Sequence, residues 1–194
     1  MLKHIGKSFL LGTVVENRIK TDDAKQLEIL KNGLKSRLAR PFGWHMMGLP
    51  LLISMIMLVF SFALIVSGAW TLIVSWSDIS VRAAASAILP AALLYSIAIV
   101  TSLFFVARGY LRALKLYIFL ILITVMSSAV FFLIAVASLI APNDTPSPSS
   151  IAAGISLILG LAAIKCINSS MFEKTMALFF HNRVWRKQLN LRKF

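Results

Sequence analysis

The chain has 194 residues, of which 59% are hydrophobic and 14% charged, and its mean hydropathy is +0.85. A water-soluble domain has about 25% charged residues and could not hide this much apolar surface in its core, so lipid is expected to cover it. The net charge of +13 would suit nucleic acid, but the basic residues flank apolar segments and form no long solvated stripe. We therefore expect membrane lipids, and no nucleic acid, as partners.

Residues 1–45 are predicted to form a basic, amphipathic tail. Lys3 and Lys7 precede a short apolar stretch, but no small-residue cleavage pattern follows, so no signal-peptide cleavage is expected. An N-cap and a negative first turn at residues 21–23 predict a helix from Thr21 to Arg40, which Pro41 ends. One face of this helix carries a leucine stripe: Leu27, Leu30, Leu34 and Leu38.

The leucine stripe has two possible uses. It is expected to lie in the membrane interface as a helix, because bare membrane contact is the commoner use of a basic amphipathic helix. Lys31 and Lys35 flank the stripe, where their stems can lie along lipid while the ammonium groups reach phosphate. The alternative is a partner helix packed on the leucines.

Four apolar segments follow in a transmembrane region spanning residues 46–172. They cover residues 46–77, 83–107, 116–141 and 150–172. A helix needs about 20 apolar residues to cross the hydrocarbon, and none of these segments has the period-two alternation of a barrel strand. The sequence therefore predicts an all-α membrane protein with four transmembrane helices.

The distribution of basic residues predicts the orientation of these helices. Nineteen of the twenty Lys and Arg residues lie in the N-terminal tail, in the loop after the second span, or from Lys165 onward, and Arg82 is the exception. The positive-inside rule makes that side cytoplasmic. Both termini are therefore expected in the cytoplasm of a multi-pass protein of the bacterial inner membrane.

Small residues recur at helical spacing in two of the spans. One set lies on the second span and the other on the fourth: Ala83, Ala87 and Ala91, then Ala152, Ser156 and Gly160. Such faces let helices approach closely in lipid, where van der Waals contact drives association. Packing within the four-helix bundle is the expected use, and contact with other membrane subunits or a second copy is the alternative.

Residues 173–194 form a second cytoplasmic tail rich in aromatic and basic residues. Basic residues interleaved with aromatics can stack nucleic-acid bases, but beside a membrane helix this composition more often marks an anchor on the anionic inner leaflet. The expected headgroup anchors in and near this tail and the middle loop are Arg108, Arg112, Lys115, Lys165, Arg183, Trp185, Arg186 and Lys187.

The sequence offers little for chemistry inside the membrane. Lys165 is the one ionisable candidate in the spans, and it is expected to snorkel because no intramembrane carboxylate is available to pair with it. There is one cysteine, Cys166, and the three histidines are scattered, so no metal site or other cofactor is expected. No catalytic motif is present, and we expect no enzyme.

The order of segments resembles a known group of membrane proteins. Four features follow one another along the chain: Ile5-Gly6-Lys7, a basic amphipathic segment ending at Pro41, the apolar spans, and the tail from Phe179 to Trp185. This order resembles that of small inner-membrane accessory proteins of type IVB secretion systems and related plasmid conjugation machines, of the TraX-like kind. The resemblance covers the two tails and implies a non-enzymatic subunit that docks onto a large translocation complex. It transfers no functional residues.

The expected function is a non-catalytic inner-membrane subunit of a larger assembly, with secretion or conjugation machinery as the first candidate. A membrane immunity protein against a pore-forming toxin is the main alternative, because small multi-pass basic proteins also serve that purpose. A transporter or channel subunit is a third, weakened by the scarcity of polar residues along the spans.

Overall fold

The computed structural model of the chain describes residues 3–21, 23–36, 38, 48–76, 81–140 and 148–191, which form helices and no strand. The helices are α1 (Lys3–Arg18), α2 (Ala24–Ser36), α3 (Leu49–Trp76), α4 (Val81–Ala107), α5 (Leu111–Ile140), α6 (Pro148–Ile167) and α7 (Ser170–Leu191). The predicted all-α fold is confirmed. In the described residues, α3 to α6 are long and apolar enough to cross a membrane.

Local sequence explains several helix ends. The Asp23 carboxylate accepts a hydrogen bond from the Lys25 backbone N–H at 2.9 Å and so caps the start of α2. Gly109, with φ of +83°, makes the short turn between α4 and α5. The Ser169 hydroxyl accepts the N–H of Phe172 at 3.2 Å, which caps α7. The fourth apolar helix ends at Ile167 and α7 begins at Ser170. The span predicted to reach residue 172 therefore includes a turn at residues 168–169 and the start of α7.

The chain folds into two compact units. The tail unit comprises Met1–Ile53, Thr101–Tyr117 and Lys165–Phe194. The span unit comprises Ser54–Val100 and Ile118–Ile164. The tail unit thus contains α1, α2 and α7 together with one end of each of the helices α3 to α6, and the remaining parts of those four helices form the span unit.

The span unit is held together by small residues and hydroxyl groups. A Cβ atom on Gly160 would lie 3.0 Å from Cγ2 of Val125, so α6 and α5 are in close contact there. The buried Ser61 hydroxyl on α3 donates to the Ser156 carbonyl at 2.9 Å and lies 3.2 Å from the Ser128 hydroxyl. Close approach at small residues, with hydroxyls bonding between helices, is how helices associate in lipid.

The predicted small-residue faces are only partly used in these contacts. Ser156 and Gly160 are buried between helices, whereas Ala152 and Ala91 are half-buried. Among the described residues of α6, the fully buried alanines are Ala153 and Ala163, and Ala153 clusters with Phe131 and Ala135 of α5. The side chains of Ala83 and Ala87 lie outside the described part of the chain.

The tail unit has α7 at its centre, packed against both α1 and α2. Fully buried Phe172, Met176, Phe180 and Val184 form one face of α7. The stripe of Leu27, Leu30, Leu34 and Leu38 is buried as well. The structure therefore differs from the expected lipid contact of these leucines: the chain itself covers them, and Ile29 on the other face of α2 is exposed.

Candidate functional site

Polar contacts tie α7 to the N-terminal helices along most of its length. Near its start, Glu173 lies 2.8 Å from Nδ1 of His4 and 3.8 Å from Nζ of Lys7. Further along, Arg183 donates to the Glu16 carboxylate at 3.3 Å. These contacts connect residues more than a hundred positions apart in sequence, so the two ends of the chain form one folded body.

A basic pocket lies on the tail unit where the turn between α4 and α5 meets the C-terminal half of α7. Its volume is about 380 Å³, and it is lined by Ile19, Arg108, Tyr110, Arg183, Arg186, Lys187 and Asn190. The pocket is open to the surface, and four of its lining side chains are cationic. Among the described residues that line it, none is acidic.

Backbone carbonyls hold the cationic side chains of the basic pocket in place. Arg186 donates through Nη2 to the Arg108 carbonyl at 2.8 Å. Arg183 donates through Nη1 to the Gly109 carbonyl at 3.0 Å, with its guanidinium 4.5 Å above the Tyr110 ring. Carbonyls orient a cation without cancelling its formal charge, and of these two arginines Arg183 also has the Glu16 carboxylate at 3.3 Å.

Lys187 has a structural role at the edge of the same pocket. Its ammonium group donates to the carbonyls of Ile19 and Thr21, at 2.6 and 3.0 Å. These carbonyls follow the last turn of α1, where the helix dipole is negative and backbone acceptors lack intrahelical partners. Lys187 therefore caps α1 and fastens its end to α7.

A second groove lies between α2 and α7. It has a volume of about 400 Å³ and is lined by Lys31, Asn32, Lys35, Leu38, His181, Asn182 and Trp185. The Nδ1 atom of His181 is buried and has no hydrogen-bond partner among the described residues. Trp185, which also lines this groove, is 48% exposed.

The structure separates the expected headgroup anchors into three groups. Arg108, Arg183, Arg186 and Lys187 converge on the basic pocket, and Trp185 lines the second groove. Arg112, Lys115 and Lys165 are exposed elsewhere on the tail unit. Sequence reasoning missed Glu16, Gly109 and Tyr110, whose relation to α7 depends on contacts that no local pattern reveals. It also missed Asn190, which lies on α7 and lines the basic pocket.

Among the described residues, no group of three His, Cys, Asp or Glu side chains is close enough to hold a metal ion. Cys166 is a free, half-buried thiol near the end of α6. Comparison of the chain with the models of known protein families, with curated proteins and with solved structures finds no match.

Proposed function

We propose that the chain is a non-catalytic subunit of a larger assembly in the bacterial inner membrane, with both ends in the cytoplasm. The observation that carries the proposal is the tail unit. Its helices α1, α2 and α7 bury one another's apolar faces. A folded body joined to four apolar helices provides a fixed surface for a protein partner, which two independent lipid-lying helices would not.

The proposed orientation is supported by where the charges fall in the fold. All nineteen basic residues expected on one side of the membrane belong to the ranges of the tail unit, and Arg82 belongs to the span unit. One end of each apolar helix belongs to the tail unit too. The positive-inside rule then makes the tail unit cytoplasmic.

Exposed apolar side chains on the tail unit indicate where a partner would bind. Trp185 and Leu189, one turn apart on α7, are 48% and 40% exposed. Large aromatic side chains surrounded by polar residues are typical anchors of protein interfaces. Secretion or conjugation machinery remains our first candidate for the assembly, on the strength of the resemblance of the tails.

A membrane immunity protein is a second candidate, favoured by the surface of α4. In the 18-residue apolar stretch of α4, 11% of the residues are buried, whereas 28% are buried in the corresponding stretches of α3, α5 and α6. Leu89, Leu93 and Ile97 are among its exposed side chains. Such a helix can pair with a toxin helix within the bilayer, where close packing drives association.

One purification experiment tests these two functions together. The affinity-tagged chain is isolated from native membranes in gentle detergent, and co-purifying proteins are identified for the parent and for two variants. Trp185→Ala is expected to lose a partner bound at the tail unit, whereas Leu94→Ala, which removes an exposed apolar side chain from α4, is expected to retain it.

If Leu94→Ala loses the co-purifying protein, Trp185→Ala retains it, and that protein is a pore-forming toxin, the result favours the immunity protein. If the chain is recovered alone as a monomer, and its deletion leaves secretion and transfer intact, the subunit proposal is wrong. A genomic neighbourhood with a long transfer operon supports the subunit, and an adjacent toxin gene supports immunity.

A further inference from the structure

We infer that the basic pocket is a binding site for a phosphate group, either of an anionic phospholipid or of a soluble phosphate compound. The inference concerns a ligand of the tail unit and does not depend on which protein assembly the chain serves. It starts from the convergence of residues that are distant in sequence. The turn after α4 and the last turns of α7 bring their cationic side chains around one cavity of about 380 Å³.

The charge of the basic pocket is only partly compensated. Arg183 has the Glu16 carboxylate at 3.3 Å. Arg108 and Arg186 have no carboxylate partner among the described residues. Arg186 uses one donor on a carbonyl, and Arg108 lies over the ring of Phe104 at 4.5 Å. Like charges held close together favour an anion between them.

The geometry of the cations suits phosphate. A guanidinium presents several N–H donors in a planar fork, which matches the oxygens of phosphate better than a single ammonium does. Arg186 is held by the Arg108 carbonyl and Arg183 by the Gly109 carbonyl, so both are oriented before a ligand arrives. Fixing a side chain in advance lowers the entropy lost on binding. Asn190 adds an amide that can donate a further hydrogen bond.

The surroundings of the basic pocket favour lipid as the source of the phosphate. Residues 108–110 lie between the candidate spans that end at Ala107 and begin at Leu111. Headgroup phosphates lie at the ends of such spans. Phe104 and Tyr110 are 53% and 43% exposed beside the cations, and can contact the apolar part of a lipid. A soluble phosphate compound would use the same cations without these aromatic rings.

The test uses the purified full chain in uncharged detergent and measures bound ligand by native mass spectrometry. The probes are phosphatidylglycerol, phosphatidylcholine and inorganic phosphate. Asn190→Asp puts a carboxylate into the pocket with little change in shape, and it is expected to weaken binding of the anionic probes about tenfold or more. Asn32→Asp makes the same change in the second groove and serves as the matched control.

A lipid site predicts that phosphatidylglycerol binds more tightly than phosphatidylcholine and is not displaced by inorganic phosphate. A site for soluble phosphate predicts that inorganic phosphate binds by itself and displaces the lipid. Arg108→Gln with Arg186→Gln should abolish either preference, whereas Lys3→Gln with Lys25→Gln removes equal charge from exposed positions outside the pocket and should not. The inference is wrong if no probe binds, or if each control weakens binding as much as its pocket variant.

Discussion

Gly109 occupies a tight turn in the tail unit. With φ of +83°, its backbone has a conformation that side-chain-bearing residues rarely adopt. A Cβ atom there would lie 2.7 Å from the backbone oxygen of Phe179 and 3.1 Å from Cβ of Arg183. Because Gly109 also supplies the carbonyl that orients Arg183, one residue fixes both the turn and one wall of the basic pocket.

Gly109→Ala should therefore lower the thermal stability of the protein and weaken the basic pocket. We expect a loss of about 2 kcal/mol or more, because backbone strain adds to the clash with a main-chain atom that cannot rotate away. Gly33→Ala is the control, since a Cβ there meets nothing within 4 Å. It should raise helix stability by about 0.5–1 kcal/mol. Equal melting temperatures of the two variants in detergent would contradict the prediction.

At the scale of helices, the packing of α2 on α7 decides what the leucine stripe does. Leu27 and Leu34 are fully or almost fully buried, whereas Ile29 on the opposite face is 61% exposed. Lys31 also reaches Gln188 of α7, donating to its side-chain oxygen at 3.0 Å. Burial of a leucine side chain contributes about 1.5–3 kcal/mol, so the stripe stabilises the tail unit.

A pair of charge substitutions separates the two faces of α2. Leu34→Lys should release α2 from α7, because an ammonium group cannot be buried there without a partner. Ile29→Lys should leave the packing intact. Hydrogen exchange of the α2 amides measures the difference: fast exchange is expected for the first variant and parent-like exchange for the second. Slow exchange of the α2 amides in both variants would show that the buried leucines do not keep α2 packed on α7.

The span helices offer a second matched pair, both members on α6. Gly160→Leu should force α6 away from Val125, because a Cβ alone would already lie 3.0 Å from that side chain. At Gly154 the nearest atom to a Cβ is 3.9 Å away, so Gly154→Leu should be milder. We expect lower yield and a lower melting temperature for the first variant. The prediction does not hold if both behave alike in detergent.

The helices also show what the sequence could and could not predict. The four apolar helices follow from composition alone, because lipid requires long uninterrupted apolar segments. The burial of Leu34 could not be predicted, since a leucine stripe has the same pattern whether lipid or protein covers it. The break after Ile167 had a local signal, the N-cap at Ser169. The basic pocket had none, because Arg108 and Arg186 are brought together only by the fold.

At the scale of the whole molecule, the strongest prediction is the orientation in the membrane. The tail unit contains almost all of the basic residues, and the net charge of the chain is +13. Lys and Arg flanking apolar helices resist translocation and keep their side of the protein in the cytoplasm. In the proposed orientation, four spans return the chain to the side on which it started, which agrees with α1 and α7 belonging to one folded unit.

Reporter fusions test this orientation directly. A reporter that is active only in the cytoplasm should work when fused after Phe194. A reporter active only in the periplasm should work when inserted near Asp144, between α5 and α6. Replacing several tail-unit cations together, for example Arg112, Lys115 and Lys165 by Gln, should allow a fraction of the chains to insert the opposite way, because the charge bias sets the orientation. The same number of substitutions at exposed uncharged positions is the control. A periplasmic reporter that is active at the C-terminus of the parent chain would refute the topology, and with it a cytoplasmic tail unit.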